Sequence, residues 1–243
     1  MFFIMKPSVI HLDCITNRLN VNEYFKIEHS SNFFPEWWKK LPLEINNKNI
    51  AAIQPTMKGC IGFNSFFNQG ITIPLWSDFS FIKSNGGPTF YEFSDKKTEF
   101  DQHQFHQMEG YLNEKEYEHL KIISPWVFST KQEIKWCWIQ NTWALNELKE
   151  FTIPPAVVDY KYNNYTHINM FIHKNTNKSK FLISAGTPLI NLIPMSDKKV
   201  KIHTHYDPDR FNAVQQLNTR FSYTKFYNKK KKLTKEKKCP FRF

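Results

Sequence analysis

The chain has 243 residues and a formal charge of +11, from 33 Lys and Arg against 22 Asp and Glu. That length suits one β-rich domain with an appendage and is ample for a sizeable core. With 7 Gly and no Gly-rich phosphate loop, dinucleotide fingerprint or Gly-x-Ser-x-Gly elbow, neither phosphate-loop nucleotide chemistry nor α/β-hydrolase chemistry has a foothold.

Residues Met1 to Met5 are too short for a secretory apolar region and lead into Lys6-Pro7 without a small-residue cleavage site, so no signal peptide is expected. No run approaches the ~18 apolar residues of a membrane-spanning helix, and no membrane association is expected. Residues 1–55 read as a polar, Asn-rich N-terminal arm with one aromatic knot, Phe33-Phe34-Pro35-Glu36-Trp37-Trp38. Pro35 and Pro42 bracket one or two helical turns. Trp37 and Trp38 either pack on the sheet or form an exposed partner-binding patch.

Residues 56–208 read as the β domain. Ile71 to Ile82 alternates as a strand, Pro74 marking an edge or a bend, and Asn85-Gly86-Gly87-Pro88 turns it towards a hairpin partner at Thr89 to Phe93. Asn113 to Lys121 reads as a short helix or a charged loop. Further strands are expected at Trp126 to Thr130, Ile134 to Ile139, Val157 to Tyr160, Thr166 to His173, Lys180 to Ser184 and Leu189 to Ile193. A content of 23 Phe, 10 Tyr and 7 Trp means that rings must supply much of the core, which favours sheets over helix bundles. The expected fold is mainly β, an antiparallel sandwich or barrel-like domain of jelly-roll or β-clip type with few short helices.

Residues 209–228 carry a docking helix, with helix-compatible spacing from Arg210 to Arg220, and residues 229–243 form a basic tail. Lys225 to Phe243 holds eight Lys and one Arg against a single Glu, so most of the net charge sits at one end. The run Lys229-Lys230-Lys231-Lys232 reads as a solvated or partner-docking tail, or as a nucleic-acid contact with steep salt dependence. Phe241 and Phe243 add two rings suited to a partner, and from Lys229 the tail is expected to be disordered in the isolated chain. The cysteines Cys14, Cys60, Cys137 and Cys239 have no metal-finger spacing and read as reduced thiols.

Two histidine groups have ligand-type spacing. His103 and His106 with Glu109 would share a helix face, and His203 and His205 would share a strand face with Asp207. Such a set suits non-haem iron; surface histidines in polar contacts are the competing reading, and no cofactor is expected. Asp78, beside Trp76 in an apolar run, reads as a carboxylate that needs a partner.

Five segments together resemble an uncharacterised protein family of marine T4-like phages with distant bacterial relatives. They are Pro35-Glu36-Trp37-Trp38-Lys39-Lys40, Thr56-Met57-Lys58-Gly59-Cys60, Gly70 to Asp78, Lys121 to Trp126 and Ala185-Gly186-Thr187-Pro188-Leu189. The family carries no activity over; it implies a phage-encoded protein of the host cytoplasm or virion. A local resemblance over 155–195 links Val157-Val158-Asp159-Tyr160-Lys161-Tyr162 and Phe181 to Ile193 to strand-turn-strand motifs of the dUTPase and dCTP-deaminase group. It implies a nucleoside against Asp159 and Tyr162, with Trp76 and Asp78 as further ligand candidates, although the group's phosphate segment and Gly-rich lid are absent. The functional expectation is therefore a non-catalytic virion structural or virion-associated component with a protein partner or a homo-oligomer. The alternatives are a metal-dependent enzyme of the non-haem iron type and a nucleotide-binding protein.

Overall fold

The computed structural model describes residues 9–47, 52–83, 89–102, 110, 116–143, 150–165, 167–174, 180–219, 227–229 and 231–232. These build a mainly β molecule in five sheets with a few short helices, none of the sheets closing into a barrel among the described residues. The largest sheet is antiparallel, in the order β13 (Ala156–Val158), β11 (Trp136–Gln140), β16 (Pro188–Pro194), β5 (Ile71–Pro74) and β2 (Glu28–His29). All four residues of β5 are buried, so this strand is covered on both faces. Pro74 pairs with Pro188 where the register shifts, since two residues without N–H donors cannot extend the ladder.

That break has a topological consequence. The stretch 71–82 is two strands rather than one: the chain turns a corner at Leu75 to Asp78 and continues as β6 (Phe79–Lys83) in another sheet. There β6 pairs with β7 (Thr89–Phe93), the expected hairpin partner, and with β15 (Lys180–Ile183). A third sheet has the order β12 (Phe151–Thr152), β14 (Ile168–His173), β9 (Tyr117–Ile122), β8 (Phe100–Gln102). Over Tyr117 to Lys121 strand β9 replaces the expected helix or charged loop, whose first residues, 113–115, lie outside the described residues. Its side chains at Leu120 and Ile122 point into the core while His119 and Lys121 alternate outward, so period-two burial overrides helix propensity.

The fourth sheet joins the two ends of the domain. Strand β1 (Ile10–Thr16) pairs antiparallel with β10 (Trp126–Ser129) and parallel with β17 (Val200–Tyr206), Asp13 standing opposite His203. Ile10, Leu12 and Cys14 are fully buried, so this part of the expected polar arm belongs to the core. Burial pushes the Cys14 thiol well up, reinforced by the negative charge of Asp13. The main core is continuous across these four sheets and is rich in rings, including Trp76, Phe79, Phe81, Trp126, Phe128 and Trp136. Helix α4 (Pro208–Thr219) begins at Asp207, whose Oδ1 accepts the Arg210 N–H at 3.0 Å. It seats Phe211 on Ile15, Val127 and Tyr165 as a docking helix against β1 and β10.

Candidate interaction surface

The region between residues 34 and 69 has the unusual combination of a rigid aromatic base and an apolar exterior. Helix α2 (Glu36–Lys40) follows Pro35, with Glu36 at its positive end and Lys39 and Lys40 at its negative end. Five residues cannot hold a helix alone. Lys58 closes it from outside, donating Nζ hydrogen bonds to the carbonyls of Lys39 at 3.2 Å and Leu41 at 3.0 Å. Thr56 ties the same corner by donating its backbone N–H to Leu43 O and its hydroxyl to Pro42 O. The segments 35–40 and 56–60 are thus one unit, joined by the hairpin of β3 (Glu44–Asn47) and β4 (Ala52–Pro55).

Trp38, 3% exposed, is the hub of the aromatic base. Its ring centroid lies 5.2 Å from Phe67, 6.0 Å from Phe34, 6.2 Å from Phe63 and 6.4 Å from Trp143. Phe63 and Phe67 come from α3 (Ile61–Gln69), the helix that packs against β2 and β16 of the five-stranded sheet. Trp37 stands at the edge of this cluster, its centroid 5.6 Å from Trp38 and 6.0 Å from Trp143. It is 43% exposed while its Nε1–H donates to Trp143 O at 3.0 Å, so its orientation is fixed although its face is open. In the same segment Leu43, Ile45, Met57, Ile53 and Ile61 are exposed, the last two at 70% and 82%, with Ile45 and Ile53 on opposite faces of the β3–β4 hairpin. The two tryptophans therefore divide the sequence alternatives between them: Trp38 packs, and Trp37 is presented.

The other ligand candidates serve the fold. Trp76 is buried and donates Nε1–H to Thr98 Oγ1 at 3.1 Å. Asp78 finds its partner in the Ala185 N–H, accepted on Oδ1 at 2.7 Å, which pins the turn containing Gly186 at φ +84°. Asp159 accepts the Lys161 N–H on Oδ1 at 3.1 Å in an Asx-type turn, and burial raises its pKa above the usual carboxylate range. Tyr162 is only 2% exposed. Lys161 Nζ and Lys231 Nζ stand 5.2 and 5.8 Å from its ring centroid, and Tyr227 meets it edge-on at 5.9 Å. A nucleoside at Asp159 and Tyr162 would have to displace these groups.

Tyr227, Asn228, Lys229, Lys231 and Lys232 are helical, so at Lys229, Lys231 and Lys232 the tail is not as expected; residues 230 and 233–243 lie outside the described residues. Lys231 is fixed by lying over two tyrosine rings, since its Nζ is also 5.6 Å from the Tyr227 centroid. Lys230, Phe241 and Phe243 lie outside the described residues, as do His103 and His106. His203 and His205 do share a face of β17, with ring centroids 6.3 Å apart, but each is engaged separately. His203 Nε2 is hydrogen-bonded to His11 Nδ1 at 3.0 Å; His205 Nε2 is 3.4 Å from Asp13 Oδ1, whose other oxygen accepts from Arg210 at 3.2 Å. Among the described residues no three His, Cys, Asp or Glu side chains are grouped to hold a metal.

Surface grooves elsewhere among the described residues carry no such constellation. One of about 520 Å³ is lined by Asn17, Arg18, Asn20, Lys97, Glu99 and Tyr206. Its central cation is already satisfied, because Arg18 donates to Asp95, to Thr98 and to the Lys97 carbonyl. Another, about 330 Å³, lies between Ile10, Ile134, Met195 and Lys198. Neither gathers a nucleophile, base and orienting group. The sequence reading missed Lys58, Trp143, His11 and Asp13, whose roles depend on neighbours distant in the chain. No protein-family model matches this chain, and no match among curated proteins is found.

Proposed function

We propose that this chain is a non-catalytic, phage-encoded protein, a virion structural or virion-associated component that presents residues 34–61 to a protein partner. The observation that carries the reading is the indole of Trp37, fixed by its bond to Trp143 yet open to solvent, in a segment that exposes several aliphatic side chains. An oriented, exposed tryptophan is a common anchor of a binding hot spot. The phage origin rests on the resemblance of the five motif segments. Their residues at Lys58, Asp78 and Ala185 serve as structural ties, a use that suits a scaffold better than an enzyme.

The test is mass spectrometry of purified particles from the encoding phage, with the chain expected among the virion proteins. A Trp37→Ala, Ile53→Asp variant should be lost from particles while remaining folded by circular dichroism, because the buried hub of the cluster is Trp38 and both replaced side chains are exposed. Absence of the parent chain from particles, or normal incorporation of the variant, overturns the proposal.

A further inference from the structure

The sheet β15–β6–β7 buries one face through Phe79, Phe81, Phe181 and Ile183. Its other face is made by alternate residues of the same strands: Lys180 and Leu182 on β15, Ser80 and Ile82 on β6, Phe90 and Glu92 on β7. On a half-buried antiparallel sheet these outward positions are ordinarily polar. Here Phe90 is 57% exposed, Leu182 48% and Ile82 36%. They are contiguous, since Ile82 stands directly opposite Phe90 on one side and opposite Lys180, next to Leu182, on the other.

The charges complete a self-complementary pattern. Lys180 and Glu92 occupy opposite corners of the grid, with neither a hydrogen bond nor an ion pair to any described residue. Strands about 4.8 Å apart and a rise of about 3.4 Å per residue put these corners roughly 12 Å apart. A twofold axis lying in the face and perpendicular to this diagonal sets Lys180 of one copy over Glu92 of the other, twice. The same operation places Phe90 over Ile82 and Leu182 over Ser80 of the opposite copy, with strands crossing at roughly 70°, in the orthogonal class of sheet packing. We propose that this face is an isologous docking surface for a second copy of the chain, closed by two reciprocal Lys180–Glu92 pairs around an apolar centre. The proposal is independent of the partner of residues 34–61.

Six side chains a side make an interface at the low end of the stable range, so the dimer is expected to be weak and concentration-dependent. Sedimentation velocity of the full chain at about 1 µM to 1 mM in physiological salt should show the mass rising from 29.1 kDa towards twice that value. Lys180→Glu and Glu92→Lys should each weaken association about tenfold or more by setting like charges together. An equimolar mixture of these two variants should associate as well as the parent, within about threefold, because each supplies the charge that the other's partner requires. That rescue in trans is the discriminating result. A parent chain that stays monomeric throughout, charge reversals without effect, or failure of the mixture to recover would overturn the proposal. Association lost with Trp37→Ala but insensitive to the charge reversals would assign self-association to the other surface.

Discussion

Replacing Gly70 by Ala tests how the aromatic base is fastened to the sheet. Gly70 ends α3 at φ −71° and ψ 155°, a conformation any residue adopts, so loss of unfolded-chain entropy alone would make alanine stabilising by about 0.4–1 kcal/mol. Space decides otherwise. A Cβ there would stand 2.7 Å from the Phe66 carbonyl oxygen, 2.7 Å from Ser30 Oγ and 3.1 Å from Ile193 Cδ1. The carbonyl is held because it accepts the Gly70 N–H at 2.9 Å. Ser30 is held too: its hydroxyl donates to Asn191 Oδ1 at 3.2 Å, and Thr72 Oγ1 lies 2.9 Å from both, all within the buried interior. Overpacking against groups that cannot yield costs about 1–3 kcal/mol, here towards the upper end. The net loss is about 2 kcal/mol, or roughly 4–8 °C in melting temperature for a chain of this size. Differential scanning calorimetry measures it, with Gly59→Ala as control: its added methyl meets Leu43 and Pro55 at 3.7 and 3.8 Å, ordinary contact distances. A Gly70→Ala protein that melts at or above the parent temperature, or a control that falls as far, refutes the reasoning.

Two further predictions concern ionisable groups. Because burial raises the Asp159 pKa in the folded chain, the ionised carboxylate destabilises the fold; this penalty is absent below the unfolded pKa, where both states are protonated, and complete above the folded pKa. Asp159→Asn keeps an oxygen for the Lys161 N–H, so its urea midpoint should exceed the parent's at neutral pH and converge with it towards about pH 3, and a lower midpoint at neutral pH would sink the assignment. Alkylation followed by peptide mapping of the native protein should modify exposed Cys60 at least about a hundredfold faster than buried Cys14, whose thiol is pushed up by burial; comparable rates would show that β1 opens readily.

Local pattern was enough for part of this fold. Short apolar and alternating runs located the β6–β7 hairpin and the strands β10, β11, β14, β15 and β16: burial alternates in β11 and β15 and is nearly continuous in β10, β14 and β16, both patterns legible in consecutive residues. The ring-rich composition pointed to a mainly β core, and the two prolines around Trp37 and Trp38 marked α2. The short apolar alternation of β1 was masked by polar neighbours. Strand β9 was misread because four of its six residues are only partly buried, and their side chains suit a helix surface as well as the open side of a sheet.

What the sequence could not contain was the pairing of distant segments. The parallel match of β1 with β17 unites residues almost two hundred positions apart, and that match brings His11 to His203 and Asp13 to His205, dividing the histidines between separate partners. The division between Trp37 and Trp38 likewise depends on Trp143 and α3, which pack one ring and fix the other by its N–H. By itself the sequence determined the class of fold and the residue types available for binding, since those follow from composition and short-range periodicity. Only the tertiary structure decided which rings are buried and which presented, and which charges stand on one face, because exposure and proximity are set by long-range packing that no local spacing encodes.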